Sequence, residues 1–123
     1  MANDFKSFSK ANIAIDSGTY STVYTVPYTA ADVESILLEV DVANTHTADV
    51  TVDVKVNKNS GGTGGTDDIF IVKAAPVPVG GALKVVSGQK IVMMSTSTGA
   101  DTLTVACSVA SAADCIASVL EDV

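Results

Sequence analysis

Few side chains in this chain could do chemistry, and their spacing limits what that chemistry could be. His46 is the single histidine. A Ser-His-Asp triad needs an imidazole held where it can accept a proton. His46 sits in Asn44-Thr45-His46-Thr47-Ala48, a turn-forming run, and reads as a solvated turn residue. Cys107 and Cys115 lie eight apart and are the only cysteines. With one distant histidine they are too few for a structural zinc site, which takes four ligands. They read as two small buried thiols of a reducing compartment or as a cross-strand disulfide, with free thiols the expectation.

The Gly-rich run Asn57 to Asp68 invites a phosphate-loop reading. A P-loop ends in Gly-Lys-Ser/Thr, whereas Gly64-Gly65 is followed here by Thr66-Asp67-Asp68, whose carboxylates repel phosphate. The run reads as a mobile loop tip. Asp67 and Asp68 could join Asp41, Asp53 or Glu39 around a hard cation. Such a site wants six or more oxygens in a shaped cage, and scattered outward carboxylates on strands read as solvated faces. No metal and no cofactor is expected. An enzyme is not expected either, because a general base must be a positioned titratable group and none stands out.

What would position these residues is a set of short strands. Val50-Thr51-Val52-Asp53-Val54-Lys55-Val56 alternates strictly, so its valines share one face of a half-buried strand. Thr19 to Val26 reads as another strand, stopped by Pro27. Val33 to Ala43 follows, with Ile36, Leu38, Val40 and Val42 on one face and Leu37, Glu39, Asp41 and Ala43 on the other. A hairpin at His46 would set Glu39 opposite Asp53, a like-charge pair. Either the register slips or the link is an arch between two sheets. Ile69 to Ala74 is a strand, Ala75 to Gly81 an extended proline-rich edge or crossing, and Leu83 to Val86 and Ile91 to Met94 are short strands around Ser87-Gly88-Gln89. Thr102 to Val109 and Cys115 to Leu120 read as a hairpin pairing Leu103 with Val119, Val105 with Ala117 and Cys107 with Cys115. Met93 and Met94 read as core plus rim. Tyr20, Tyr24 and Tyr28 form either an aromatic cluster at an interface or part of the core.

With 123 residues this is one domain, and with 47% apolar residues, no tryptophan and 5% aromatics its core is aliphatic. About eight strands in that length make an all-β, antiparallel β-sandwich, of which the jelly roll is one form. Residues 1–18 form an N-terminal arm or edge strand and residues 19–123 the sandwich. A net charge of −7 argues against nucleic acid, which needs a basic footprint, and against anionic membrane surfaces. No apolar run approaches the roughly 20 residues of a membrane span, and Met1 to Lys6 does not read as a signal peptide. Assembly in a cytoplasm is expected.

The order Tyr24-Thr25-Val26-Pro27, Val42-Ala43-Asn44, Ala75-Pro76-Val77-Pro78-Val79-Gly80-Gly81, Gly88-Gln89-Lys90-Ile91-Val92 and Ser118-Val119-Leu120-Glu121 resembles a group of small virion structural proteins of tailed phages, notably those of marine bacteria and cyanobacteria. The resemblance runs from about Tyr20 to Glu121 and rests on turn and strand punctuation. The Gly-rich insertion and the two cysteines depart from its pattern. It implies a capsid decoration or cement protein on the outside of the head shell, in contact with the major capsid protein or other virion proteins. It also implies a homo-oligomer, a trimer being one closed form. The alternatives are a neck, collar, tail or fibre component and a non-catalytic carbohydrate- or host-surface-binding module. The expected contact residues are Phe5, Phe8, Ile13 and Ile15 in the arm and Pro76, Val77, Pro78 and Val79 at the edge. On this reading, removing residues 1 to 15 abolishes particle binding and leaves the domain folded.

Overall fold

The computed structural model describes residues 3–15, 20–28, 30–59 and 67–122. These residues form nine strands and no helix: β1 (Asn3–Lys10), β2 (Ser21–Thr25), β3 (Val33–Asn44), β4 (Val50–Asn57), β5 (Asp68–Val77), β6 (Ala82–Thr96), β7 (Gly99–Ala100), β8 (Thr102–Cys107) and β9 (Ala113–Asp122). Sheet one has the order β1-β9-β3-β6-β7 and sheet two the order β2-β8-β4-β5. All pairs between these strands are antiparallel. Apart from the two-residue β7, the pairs β1·β9, β2·β8, β3·β6 and β4·β5 are nested one within the next, which is the winding of a jelly roll.

The core between the sheets is aliphatic, as the composition requires. Leu37, Val40, Val42, Val54, Leu103, Val105 and Val119 are fully buried there. Met93 is also fully buried and Met94 lies at the rim. Ile13 is fully buried as well. Its N–H donates to Ala113 O and its carbonyl accepts from Ser111 N–H, both at 3.0 Å. Ala14 O then accepts from Cys107 N–H at 2.9 Å. Residues 11–15 thus cross from sheet one to sheet two and close one end of the sandwich.

Three strand features differ from the simple alternation of the sequence. In β3 a bulge at Leu38 shifts the register toward both β6 and β9. The inward residues are therefore Val33, Ser35 and Leu37, then Val40, Val42 and Asn44. Ile36 and Leu38 leave the core and Leu37 enters it, because an inserted residue reverses the faces beyond it. Leu83 to Met94 is not two strands around a turn but part of the single β6. Gly88, Gln89 and Lys90 bulge out opposite Leu38, between the pairs Glu39–Ser87 and Leu37–Ile91, with Gly88 at φ +85°. The C-terminal hairpin does not form. β8 pairs with β2 and β4 while β9 pairs with β1 and β3. Leu103, Val105, Cys107, Cys115, Ala117 and Val119 are all buried, as one apolar face requires, but they come from opposite sheets. Cys107 and Cys115 are free thiols. The link through His46 is likewise an arch from sheet one to sheet two, which removes the Glu39–Asp53 clash.

Two buried carboxylates hold irregular backbone. Asp53 lies opposite a bulge in β5, where Lys73 and Ala74 face it between the pairs Val52–Ala75 and Val54–Val72. Ala74 has φ +51°, and its N–H donates to Asp53 Oδ1 at 2.6 Å. Tyr20 Oη–H and Lys73 Nζ donate to Oδ2. Asp101, fully buried, accepts from Lys58 Nζ at 2.6 Å, Asn59 N–H at 2.8 Å and Met94 N–H at 3.0 Å. It ties the end of β4 to β6 across the two sheets. Burial would raise its carboxyl pKa. The three donors and the charge of Lys58 outweigh that and hold it below the ordinary carboxylate value.

Candidate interaction surface

The outer face of sheet one carries the arrangement that stands out. On β1 the inward side chains include Lys6 and Phe8. Lys6 Nζ lies 2.9 Å from Glu121 Oε1, and the Phe8 ring packs 4.6 Å from the ring of Tyr24. Phe5, Ser7 and Ser9 therefore point outward. The register puts Phe5 beside Leu120, Leu120 beside Ile36, and Ile36 beside Val92. Four apolar side chains thus form one row across β1, β9, β3 and β6 on the solvent side. Phe5 is 77% exposed and Val92 51% exposed, so the row ends in open apolar surface at both sides.

The neighbouring row is acidic. Glu34 of β3 pairs directly with Asp122 of β9. Like charges directly opposite one another destabilise a sheet, and neither carboxylate has an ion pair among the described residues. Glu34 and Asp122 line a shallow hollow of about 240 Å³ together with Ile36, Val92 and Leu120. A partner that lays an apolar segment along the row and a lysine or arginine between the two carboxylates would match both features.

The structure separates the residues expected to make contacts. Phe5 lies on the apolar row, and Ile15 is 43% exposed at the end of the sandwich. Phe8 is half-buried against Tyr24. Ile13 is a correction: it closes the core and offers no docking surface. Val77 is a second correction, being fully buried at the end of β5, where alternation turns it inward between exposed Pro76 and Pro78. Val79 is 54% exposed in the turn after β5, and its N–H donates to Asp49 Oδ1 at 2.9 Å. The arm and the proline edge do not converge. β1 packs over β2 at one flank of the sandwich, and β5 packs over β6 at the other. β1 is also an integral edge strand, so removal of residues 1 to 15 takes a sheet strand, the buried Ile13 and the ion-pair partner of Glu121 with it. Deleting these residues is therefore expected to destabilise the domain, which thermal melting of the truncated chain checks.

Ile36, Val92 and Leu120 were not among the expected contact residues. The outward phase of β9, Ile116, Ser118 and Leu120, is visible in the sequence. Ile36 is not, because the bulge at Leu38 places it out of phase with Val40 and Val42.

The remaining chemistry-bearing residues are placed as follows. His46 is exposed in the arch, its N–H donating to Asn44 Oδ1 at 2.7 Å. The Gly-rich residues 60–66 lie outside the described residues. No group of three or more His, Cys, Asp or Glu side chains gathers around a possible metal position among the described residues. Cys115 is buried, and desolvation, with the nearby charge of Asp41, pushes its thiol up to about 12. The three tyrosines do not cluster: Tyr24 is core, Tyr28 is 42% exposed, and Tyr20 lies on the outer face of sheet two. Lys55 Nζ sits 4.3 Å from the Tyr20 ring centroid and 5.6 Å from that of Phe70, and Lys73 Nζ 4.8 Å from Phe70. These cations lie over the Tyr20 and Phe70 rings on the outer face of sheet two.

No known protein family matches this chain, and no curated protein sequence matches it. Among solved structures it is similar to a Bacillus endospore appendage protein described as belonging to a family of disulfide-linked pili. The identity is 16%, the match covers 98% of this chain and 85% of that one, and the TM-score is 0.43. It is also similar to the infectious bursal disease virus VP2 subviral particle, at 12% identity and a TM-score of 0.38, covering 97% of this chain and 40% of that one. For the Gt strain of the same virus the identity is 10% and the TM-score 0.39, and this chain spans 39% of the viral chain.

Proposed function

We propose that this chain is a structural protein of a virion, a capsid decoration or cement protein bound to the outside of the head shell. The observation that carries this reading is the row Phe5, Leu120, Ile36 and Val92 beside the facing carboxylates Glu34 and Asp122. An apolar row bordered by charge, on the outer face of a sheet, suits a part that lies on a preformed surface. The partner is a shell protein presenting apolar residues next to lysine or arginine. The order of turn and strand motifs, which resembles small phage virion proteins, supports the same reading.

The test is the copy number of this chain in purified particles relative to the major shell protein, for wild type and for Ile36→Lys and Val92→Lys. Both positions face outward, so the variants fold. One copy per shell subunit for wild type, with loss of both variants from particles, is the expected result. A few per cent of that number points to the neck or tail instead, and absence from particles overturns the proposal.

A further inference from the structure

β1 ends sheet one, and among the described residues no strand pairs along its outer side. Such an edge is a template for another strand. We propose that β1 pairs antiparallel with β1 of a second copy about a two-fold axis at Ser7, joining the two copies of sheet one edge to edge.

Charge selects the register. Two-fold pairing that keeps like faces together must centre on one residue of β1. Centres at Asp4 or Lys6 set that charge against its own copy, and a centre at Phe8 sets Lys6 against Lys10. Centres at Phe5 or Ser7 pair Asp4 with a lysine. Among the described residues the Phe5 centre engages 3–7 alone. The Ser7 centre engages the strand from Asp4 to Lys10, with two Asp4–Lys10 pairs, two Lys6–Phe8 pairs and two Phe5–Ser9 pairs. Opposite charges directly across strands favour pairing.

The same register accounts for Phe5. Its side chain, exposed on the outer face, lies beside Ser9 of the second copy, and the strand beyond carries Ile116 opposite Ser9. Neighbouring strands are about 4.8 Å apart, so the phenyl ring crosses the small Ser9 side chain and reaches Ile116, itself 48% exposed. Ser9 and Ile116 border a hollow of about 320 Å³ lined by the small side chains of Ala11, Ala43 and Ala82, with Lys10, Asp41 and Asp114 around it. Each Phe5 thus meets Ile116 and the alanines of this recess on the other copy, and Leu120, Ile36 and Val92 remain free to dock. The pairing belongs to the chain alone, so it stands or falls independently of the virion reading.

The test uses the full chain. Ser7→Cys is oxidised at low concentration, alkylated and run without reductant, beside Phe5→Cys. Cysteines facing each other across adjacent strands lie within disulfide range, and both native thiols are buried. The expected result is a covalent dimer for Ser7→Cys and none for Phe5→Cys. A dimer of Phe5→Cys, or none of Ser7→Cys, overturns the register. Light scattering then reads the assembly. Wild type has twice the 12.5 kDa of one chain, Asp4→Lys the mass of one, and the double variant D4K/K10D regains the dimer. A monomeric or trimeric wild type, or a double variant that stays monomeric, overturns the pairing.

Discussion

The Tyr24 hydroxyl, from sheet two, donates a 2.6 Å hydrogen bond to Glu121 Oε2, from sheet one, inside the sandwich. Ser35 Oγ lies 3.0 Å from the same hydroxyl, and Lys6 reaches the other carboxylate oxygen from the edge. Burial, then the hydrogen bond to the Glu121 carboxylate, push the Tyr24 phenol well above its ordinary pKa. Four residues from four strands form one polar tie through an aliphatic core.

Tyr24→Phe removes the donor and leaves a buried carboxylate oxygen short of a partner. Leaving a buried acceptor unsatisfied costs about 1–3 kcal/mol, more for a charged one. The urea midpoint falls accordingly while the slope of the transition stays at the wild-type value. Glu121→Gln combined with Tyr24→Phe costs less than the sum of the single changes, since the two share one bond.

Acid acts through Asp101. Its folded pKa is depressed below the unfolded value, so its stabilisation is full above the ordinary value of 3.8 and is lost as pH falls below it. Asp101→Asn abolishes the ion pair with Lys58 and costs about 3 kcal/mol at neutral pH. The variant also shows a shallower loss of melting temperature than wild type between about pH 5 and pH 2, because one depressed carboxylate no longer titrates.

The strand content was legible from the alternation of valines, and so was the inward face of β8 and β9. Strand partners were not. Alternation says which side chains point inward, and an arch between sheets satisfies that as well as a hairpin does. The like-charge conflict of Glu39 with Asp53 was the one local sign that an arch was needed, and nothing comparable marks the arch before β9. Bulges were equally hidden. Gly88 reads as a turn residue because its φ of +85° suits either a turn or a bulge. The apolar row therefore escaped notice, since Ile36 reaches it through a phase change that only the pairing with two neighbours reveals.

Native thiols are inert. With Cys107 and Cys115 buried in different sheets, the intact mass shows no two-hydrogen loss. Neither residue reacts with iodoacetamide in buffer, and both react in urea. Labelling of Cys115 in the folded protein would mean that this part of sheet one opens.

Gly99 has no room for a side chain. A Cβ there would sit 2.3 Å from Asn59 O. Gly99→Ala displaces the segment whose Asn59 N–H binds Asp101, and the protein loses about 2 kcal/mol. Gly88→Ala meets no neighbouring atom and costs only the left-handed backbone, about 1 kcal/mol. Comparing the two variants by thermal melting separates crowding from backbone strain.

The pairing of β1 with β9, from Asn3 against Asp122 to Lys10 against Cys115, sets a timetable for synthesis. Of the nine strands, β1 is the first to leave the ribosome and its mate β9 the last. Until β9 emerges, β3 also lacks one of its two neighbours, so sheet one waits as separate pieces with their apolar faces uncovered. Distant pairing of this kind slows folding and exposes nascent chains to aggregation. Slow translation, or a chaperone that shields the half-made sheet, therefore raises the yield of folded chain.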